Sequence, residues 1–449
     1  MSFPRYPKYK DSGVEWLGEV PEHWAIDRLK RSTIVAKNGI WGDEPRQDEN
    51  DIPCVRVADF DRQALRVELT EPTIRNVVEK ERVGRVLSRG DLLLEKSGGG
   101  EGQPVGCVVL YDDPRPAVCS NFVARVQTSL GMNSSFWRYV HAAAYAVRLN
   151  TRSIKQTSGI QNLDASQYLD ERAGFPPPAE QTQIAAFLDR ETAKIDELVA
   201  EQRRLMELLK EKRQAVISHA VTQGLNPHAT MKPSGIEWLG DVPAHWEVRR
   251  VKSVSAFTTS GPRGWSERVG DEGALFVQSG DLNDSLEVEF SGSKRVQVAN
   301  DAEATRTRLC DGDVVVCITG AKTGNVAVCV AVPEVAYINQ HLCLIRPARE
   351  ILPVFLGVLL KCDLGQTYFD FSQYGLKQGL SLEDVREAPV LVPPLAEQAA
   401  IVTYVGAATA KFDTLTTEAQ RAIALLQERR TALISAAVTG QIDVRGVCA

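Results

Sequence analysis

Residues 179–221, AEQTQIAAFLDRETAKIDELVAEQRRLMELLKEKRQAVISHAV, constrain this chain more than any other stretch, because they read as one long helix that then occurs again. Ile184, Leu188, Ile195, Leu198, Leu205, Leu209 and Val216 follow steps of three and four that place them on one seam, interrupted at Glu191, Gln202 and Lys212. A shift of 217 positions returns Ile401, Val405, Phe412, Leu415, Leu426 and Leu433, with Ala408, Ala419 and Ala422 where close approach is useful. The basic break recurs as Lys212 and Arg429. At ~1.5 Å per residue each helix is roughly 60 Å long. Such a helix cannot bury its seam alone, and its own repeat is the obvious partner.

The duplication extends beyond the helices. DSGVEWLGEVPEHW at 11–24 returns as PSGIEWLGDVPAHW at 233–246, an offset of 222 with ten of fourteen positions identical. Trp16, Trp24, Trp238 and Trp246 in this box are expected to be buried anchors. After each box come short apolar runs separated by Gly, Pro and Asp, such as GDLLLEKSGGG, NFVARVQ, GDVVVCITGAKTG and HLCLIRPA, which read as strands and turns. A shorter helical piece follows, 135–148 and 352–371, then a polar loop, LNTRSIKQTSGIQNL or SQYGLKQGLSLEDV. FPPPAEQ and VPPLAEQ then stop one element and start the long helix. The linker TQGLNPHATMK at 222–232 has the Gly, Asn and Pro expected where a helix ends. The expected domains are therefore 1–178, a helix at 179–222, 223–394, a second helix at 395–440, and a tail at 441–449.

A chain of 449 residues with 43% hydrophobic content has enough apolar material for two globular domains. No run of eighteen apolar residues occurs and the N-terminus lacks a signal-peptide core, so a cytoplasmic protein without a membrane partner is expected. Nine cysteines without a CxxC pair read as reduced core residues. A net charge of −6 argues against indiscriminate coating of nucleic acid. The distribution is uneven, however. Residues 114–163 contain no acid but carry Arg115, Arg125, Arg138, Arg148, Arg152 and Lys155, and 248–266 contain none beside Arg249, Arg250, Lys252 and Arg263. Singly, such residues are most simply solvated or paired with acids elsewhere.

The motifs of an autonomous enzyme are missing. GAKTGN at 320–325 lacks the spacing of a phosphate-cradling loop, and no Asn/Asp-Pro-Pro-aromatic string of adenine methylation occurs. The six histidines have no ligand-like spacing, so no metal site and no catalytic residue is expected. Asp91, Glu95 and Lys96 superficially resemble a nuclease cluster, but Cys317 and Ile318 replace the last two in the second copy, which suggests strand-end polarity.

The opening box and its copy, the KQTSGIQNL loop and the two PPxAEQ starts together resemble the specificity subunits of type I restriction-modification systems over essentially the whole chain. The resemblance implies an α+β fold in which two mixed α/β target recognition domains are separated by two long antiparallel helices, with a pseudo-twofold internal repeat. It implies a non-catalytic subunit whose domains each read half of a bipartite site in double-stranded DNA. Its helices would set the spacer and dock methyltransferase subunits, two in number, with restriction subunits beyond them. Any S-adenosylmethionine, ATP and Mg2+ would be used by those partners.

Phosphate contacts would come from Lys and Arg, and base readout from side chains that form paired hydrogen bonds. Candidate DNA contacts are Lys96, Ser97, Arg148, Arg152, Lys155, Gln156, Thr157 and Ser158 in the first half, and Arg263, Thr319, Lys322, Thr323, Tyr374, Lys377 and Gln378 in the second. Glu191, Lys212 and Arg429 are candidate contacts across the helix pair or to a modification subunit. Because Lys-Gln occurs in both halves, it fits a framework role as well as a reading one. A standalone DNA-modifying enzyme and a structural coiled-coil spacer are the rival readings.

Overall fold

A computed structural model describes residues 3–157, 159–299, 301–373 and 379–446. The chain forms two compact units, Met1–Arg203 with Gln420–Ala449, and Arg204–Ala419. In the first, the strand Leu92–Glu95 is buried along its whole length. Successive strand side chains point to opposite faces, so Leu92 and Leu94 enter one core and Leu93 another. Cover on both faces is why this segment reads as an unbroken apolar run. It is third in a six-stranded sheet ordered Thr33–Asn38, Val123–Thr128, Leu92–Glu95, Val108–Leu110, Arg66–Val67, Phe60–Asp61. Helix Ser134–Ala146 adds Phe136, Trp137, Val140 and Ala143 to the Leu92 core, and the Asn133 side chain caps it by accepting from the Phe136 amide at 3.0 Å.

The second unit is centred on Val314–Cys317, also fully buried, with Val314 and Val316 in one core and Val315 and Cys317 in another. Its sheet runs Ser255–Ser260, Leu342–Pro347, Val314–Cys317, Val326–Val328. The helical piece expected at 352–371 is two helices, Pro353–Lys361 and Asp363–Ser372. The break falls at the extended residue Cys362, and the turn is tight enough that a Cβ on Gly365 would lie 2.2 Å from the Leu360 carbonyl oxygen.

The tryptophan boxes form hairpins, Tyr9–Asp11 with Glu19–Pro21 and Met231–Pro233 with Asp241–Pro243. Trp24 and Trp246 are fully buried. Trp16 is only half-buried and Trp238 is 42% exposed, contrary to expectation. Both sit in a hairpin turn at the edge of their unit: Trp16 packs on the rim of the first core and its indole N–H donates to the Arg172 carbonyl at 3.0 Å, and Trp238 leans edge-on against Phe371.

The long helices are Pro178–Gln223 and Leu395–Val438. Each begins on a glutamine clamp. Gln181 donates to the Pro176 carbonyl and accepts from the Asn133 amide; Gln398 donates to the Pro393 carbonyl and accepts from the Leu352 amide. Each ends on a glycine of positive φ, Gly224 and Gly440, the usual helix terminator. In the first unit, Ile184, Leu188, Ile195 and Val199 share a core with Leu433, Ile434, Ala437 and Val438. In the second, Ala220 and Val221 share one with Ile401 and Val405.

The expected seam needs correcting in the middle: Leu198, Leu205 and Leu415 are exposed, while Val199 is buried and Gln202 and Met206 are half-buried. A helix of 3.6 residues per turn drifts by ~20° per heptad from a strict seven-residue pattern, and the packed line moves with it.

Candidate nucleic-acid interface

Of the polar loop read at 149–163, Leu149–Ser153 is a short 3-10 helix and Ile154–Thr157 pairs with Ile160–Leu163 as a β-hairpin, whose outer edge pairs with Ser97–Gly98. Its exposed polar face hid the strand period. This arrangement brings two of the sequence-predicted clusters together. Lys155 faces Asn162 across the hairpin, Ser97 faces the same Asn162 from the other side, and the Ser97 hydroxyl donates to the Asn162 side-chain oxygen. Gln156 pairs with Gln161, and Thr157 lies at the hairpin end opposite Ile160. Lys96 donates to Asn38 at 2.7 Å, and partial burial lowers its pKa.

Most cations of the two acid-free windows already have acids from outside them. Arg125 is paired with Asp91 at 2.7 Å and Arg138 with Asp189, both arginines being largely buried and structural. Arg115, Arg249, Arg250 and Lys252 pair with Asp113, Glu350 and Glu387. Arg152 reaches Glu15 at 3.4 Å and Lys155 reaches Asp164 at 2.7 Å, in exposed pairs. The Lys155 ammonium holds the Asp164 carboxyl below its usual range. Exposed pairs of this kind are weak and screened by solvent, so neither carboxylate commits its cation to the fold. Arg148 and Arg263 are exposed and have no carboxylate partner among the described residues.

Of the second-unit candidates, the Thr319 hydroxyl shares a hydrogen bond with His341 at 2.5 Å. Thr323 donates to the Gly320 carbonyl at 2.7 Å, and Lys322 leans toward the carbonyls of Gly280 and Leu282. Ser158, Tyr374, Lys377 and Gln378 lie outside the described residues. The apparent carboxylate cluster is fully used in the fold: Asp91 by Arg125, Glu95 by Arg62 at 2.8 Å, and Lys96 by Asn38.

On the helices, Glu191 is paired with Lys194 and Arg190 of its own helix, which hold its carboxyl below the usual range. Lys212 and Arg429 are exposed. The ion pairs between the two helices, Asp196 with Arg430 at 3.1 Å and Arg213 with Asp413 at 3.7 Å, escaped the sequence reading. Seven of the eight described cysteines are buried and Cys310 is exposed. Burial pushes the Cys54 thiol up to about 12 and that of Cys107 to about 11. Among the described residues no His/Cys/Asp/Glu group could hold a metal ion, and no helix is long and apolar enough to cross a membrane.

One feature of the first unit was also missed. Trp41 (38% exposed) and Phe122 (51% exposed) line an open groove of about 470 Å³ together with Arg56, Ser120 and Asn121. In the sequence Phe122 merged with the strand NFVARVQ. The only signal was the Ser-Asn pair before it, which marks a turn.

The chain thus combines two mixed α/β units with two long helices. No protein-family profile matches the chain. It is similar to the type I restriction enzyme EcoBI specificity subunit of Escherichia coli, at 25% identity over 344 residues, 74% of this chain and 70% of that protein. It is also similar to the EcoKI specificity subunit of Escherichia coli strain K12, at 24% identity over 65% of this chain and 62% of that protein. A solved chain from work on complex assembly and conformational transition of the type I R-M system superposes with a TM-score of 0.70 at 15% identity, covering 93% of this chain and 98% of that one. These likenesses bear out the resemblance to type I specificity subunits.

Proposed function

We propose that this chain is the DNA sequence-specificity subunit of a type I restriction-modification complex, each globular unit reading one half of a bipartite site. The observation that carries this reading is the combination of two compact units with similarity to two specificity subunits over most of the chain. Lys155 and Gln156 of the hairpin, with Arg148 and Arg152 just before it and Lys96 and Ser97 beside it, supply phosphate and groove contacts in the first unit. Arg263, Thr319, Lys322 and Thr323 do so in the second. Thr157, Ser158, Tyr374, Lys377 and Gln378 are further proposed DNA contacts, the last four on sequence alone.

The long helices run antiparallel within a pseudo-twofold repeat and fix the separation of the half-sites. Two ion pairs support that direction, since Asp196 meets Arg430 while the later Arg213 meets the earlier Asp413. Glu191, Lys212 and Arg429 offer charged contacts to methyltransferase subunits, two per chain. The chain itself is non-catalytic; S-adenosylmethionine, ATP and Mg2+ serve its methyltransferase and restriction partners. The test is mapping of methylated positions, molecule by molecule, in cells expressing this chain with its modification subunit. A split motif with asymmetric halves is expected, and methylation at a continuous or absent motif overturns the reading.

A further inference from the structure

We propose that base sequence is read in each unit at the turn leading into the strand beside the central one, by Asn121, Phe122 and the facing Arg56 in the first unit and by Gln340, His341 and the facing Gln278 in the second. The inference rests on the reading of the chain as a DNA-specificity subunit and locates where that specificity resides.

The backbone frame of this turn is the same in both units. The Lys96 amide donates to the Phe122 carbonyl at 2.7 Å, and the Ile318 amide, 222 positions on, donates to the His341 carbonyl at 2.8 Å. Ser120 donates to Val55 at 2.9 Å, and Asn339 to Val277 at 3.0 Å. The carboxylate of Asp59 takes the Arg56 amide at 2.7 Å, and that of Asp281 takes the Gln278 amide at 2.8 Å. Gly39 and Gly261 pass so close to the turn that a Cβ on either would lie 2.1 Å from a carbonyl oxygen, of Cys119 and Asn339 respectively.

On this common frame the outward side chains all differ. Phe122 stands where His341 does, Asn121 where Gln340 does, and Arg56 where Gln278 does. Trp41, two residues past Gly39, corresponds to Arg263, two past Gly261. Positions that only hold the fold behave otherwise: Gln181 and Gln398 are the same residue making the same clamp, and His23 and His245 bond Glu180 and Glu397 alike. A frame that repeats while its exposed tips change is what two readers of different half-sites require.

The tips also have the right chemistry. Arg pairs with two acceptors of guanine, Asn and Gln with adenine, and Phe packs on the thymine methyl. In the first unit these residues border the groove under Trp41, where the buried Ser120 hydroxyl has no partner among the described residues. The Lys-Gln pair, present in both halves, falls to the phosphate or framework side.

The experiment uses the full chain co-expressed with its modification subunit, as two variants, Gln340→Ala with His341→Ala and Asn121→Ala with Phe122→Ala. Mapping of methylated sites is expected to show one half of the split motif unchanged in each variant. The other half should lose on the order of tenfold or more discrimination at one or more base pairs, with the affected half opposite in the two variants. Unchanged halves in both variants, or degeneracy in the same half, overturns the proposal. Where a variant complex methylates nothing, purified complex is titrated with the motif duplex and with an unrelated duplex of equal length. Loss of preference with unrelated binding retained supports the proposal, and equal loss of both overturns it. Failure of the underlying reading is distinct, because the unaltered chain then yields no split motif.

Discussion

Glu180 serves three partners on two oxygens: the Tyr6 hydroxyl at 2.6 Å, the Trp24 indole N–H at 3.0 Å and His23 at 2.8 Å. Burial, and then Glu180 itself, raises the Tyr6 pKa. Replacing Glu180 by Ala leaves two buried donors without an acceptor, at ~1–3 kcal/mol each. Glu397 has an easier position, since its bonded His245 is half-exposed and the Trp246 indole N–H has no partner among the described residues even in the intact protein. We therefore expect Glu180→Ala to destabilise by about 2–4 kcal/mol and Glu397→Ala by about 1 kcal/mol or less, read from denaturant midpoints. Equal losses would contradict this assignment. The sequence marked AEQ only as a helix start, because the carboxylate's partners lie more than 150 positions away.

The long helices were legible at the level of the element because their apolar spacing persists over forty residues and recurs. The hairpin Ile154–Thr157 with Ile160–Leu163 was not, since its edge partner Ser97–Gly98 is remote in sequence and its polar face shows no alternation. Burial on both sides likewise removes the period from LLLE and VVVC, leaving strand existence readable but not sheet order. Where the helices pass from one contact unit to the other, after Arg203 and after Ala419, four residues inserted in each add ~6 Å and a residual turn of ~40°. One base pair adds ~3.4 Å along the strand and ~35° of rotation. The methylated motif of such a variant is expected to have a spacer longer by one or two base pairs. An unchanged spacer would remove the helices from the role of setting it.

At the scale of the whole molecule, contact and sequence divide the chain differently. Sequence gives two successive halves, whereas each compact unit contains part of both long helices. The first unit is closed by its last segment: Tyr9 donates to the Gly440 carbonyl at 3.0 Å, the Asp443 amide donates to Pro4 at 2.8 Å, and Leu433 and Ile434 fill the core beside Leu188. The second unit is a single uninterrupted segment, Arg204–Ala419. A fragment ending at Ala419 is therefore expected to protect the amides of the second unit from hydrogen exchange while those of helix 178–203 exchange freely. Protection of both alike would refute the dependence. Closing the first unit directly means bringing together segments more than two hundred residues apart, an entropic cost that the Arg213–Asp413 contact shortens once the second unit has formed. On a ribosome, the unit that begins synthesis first is the one completed last.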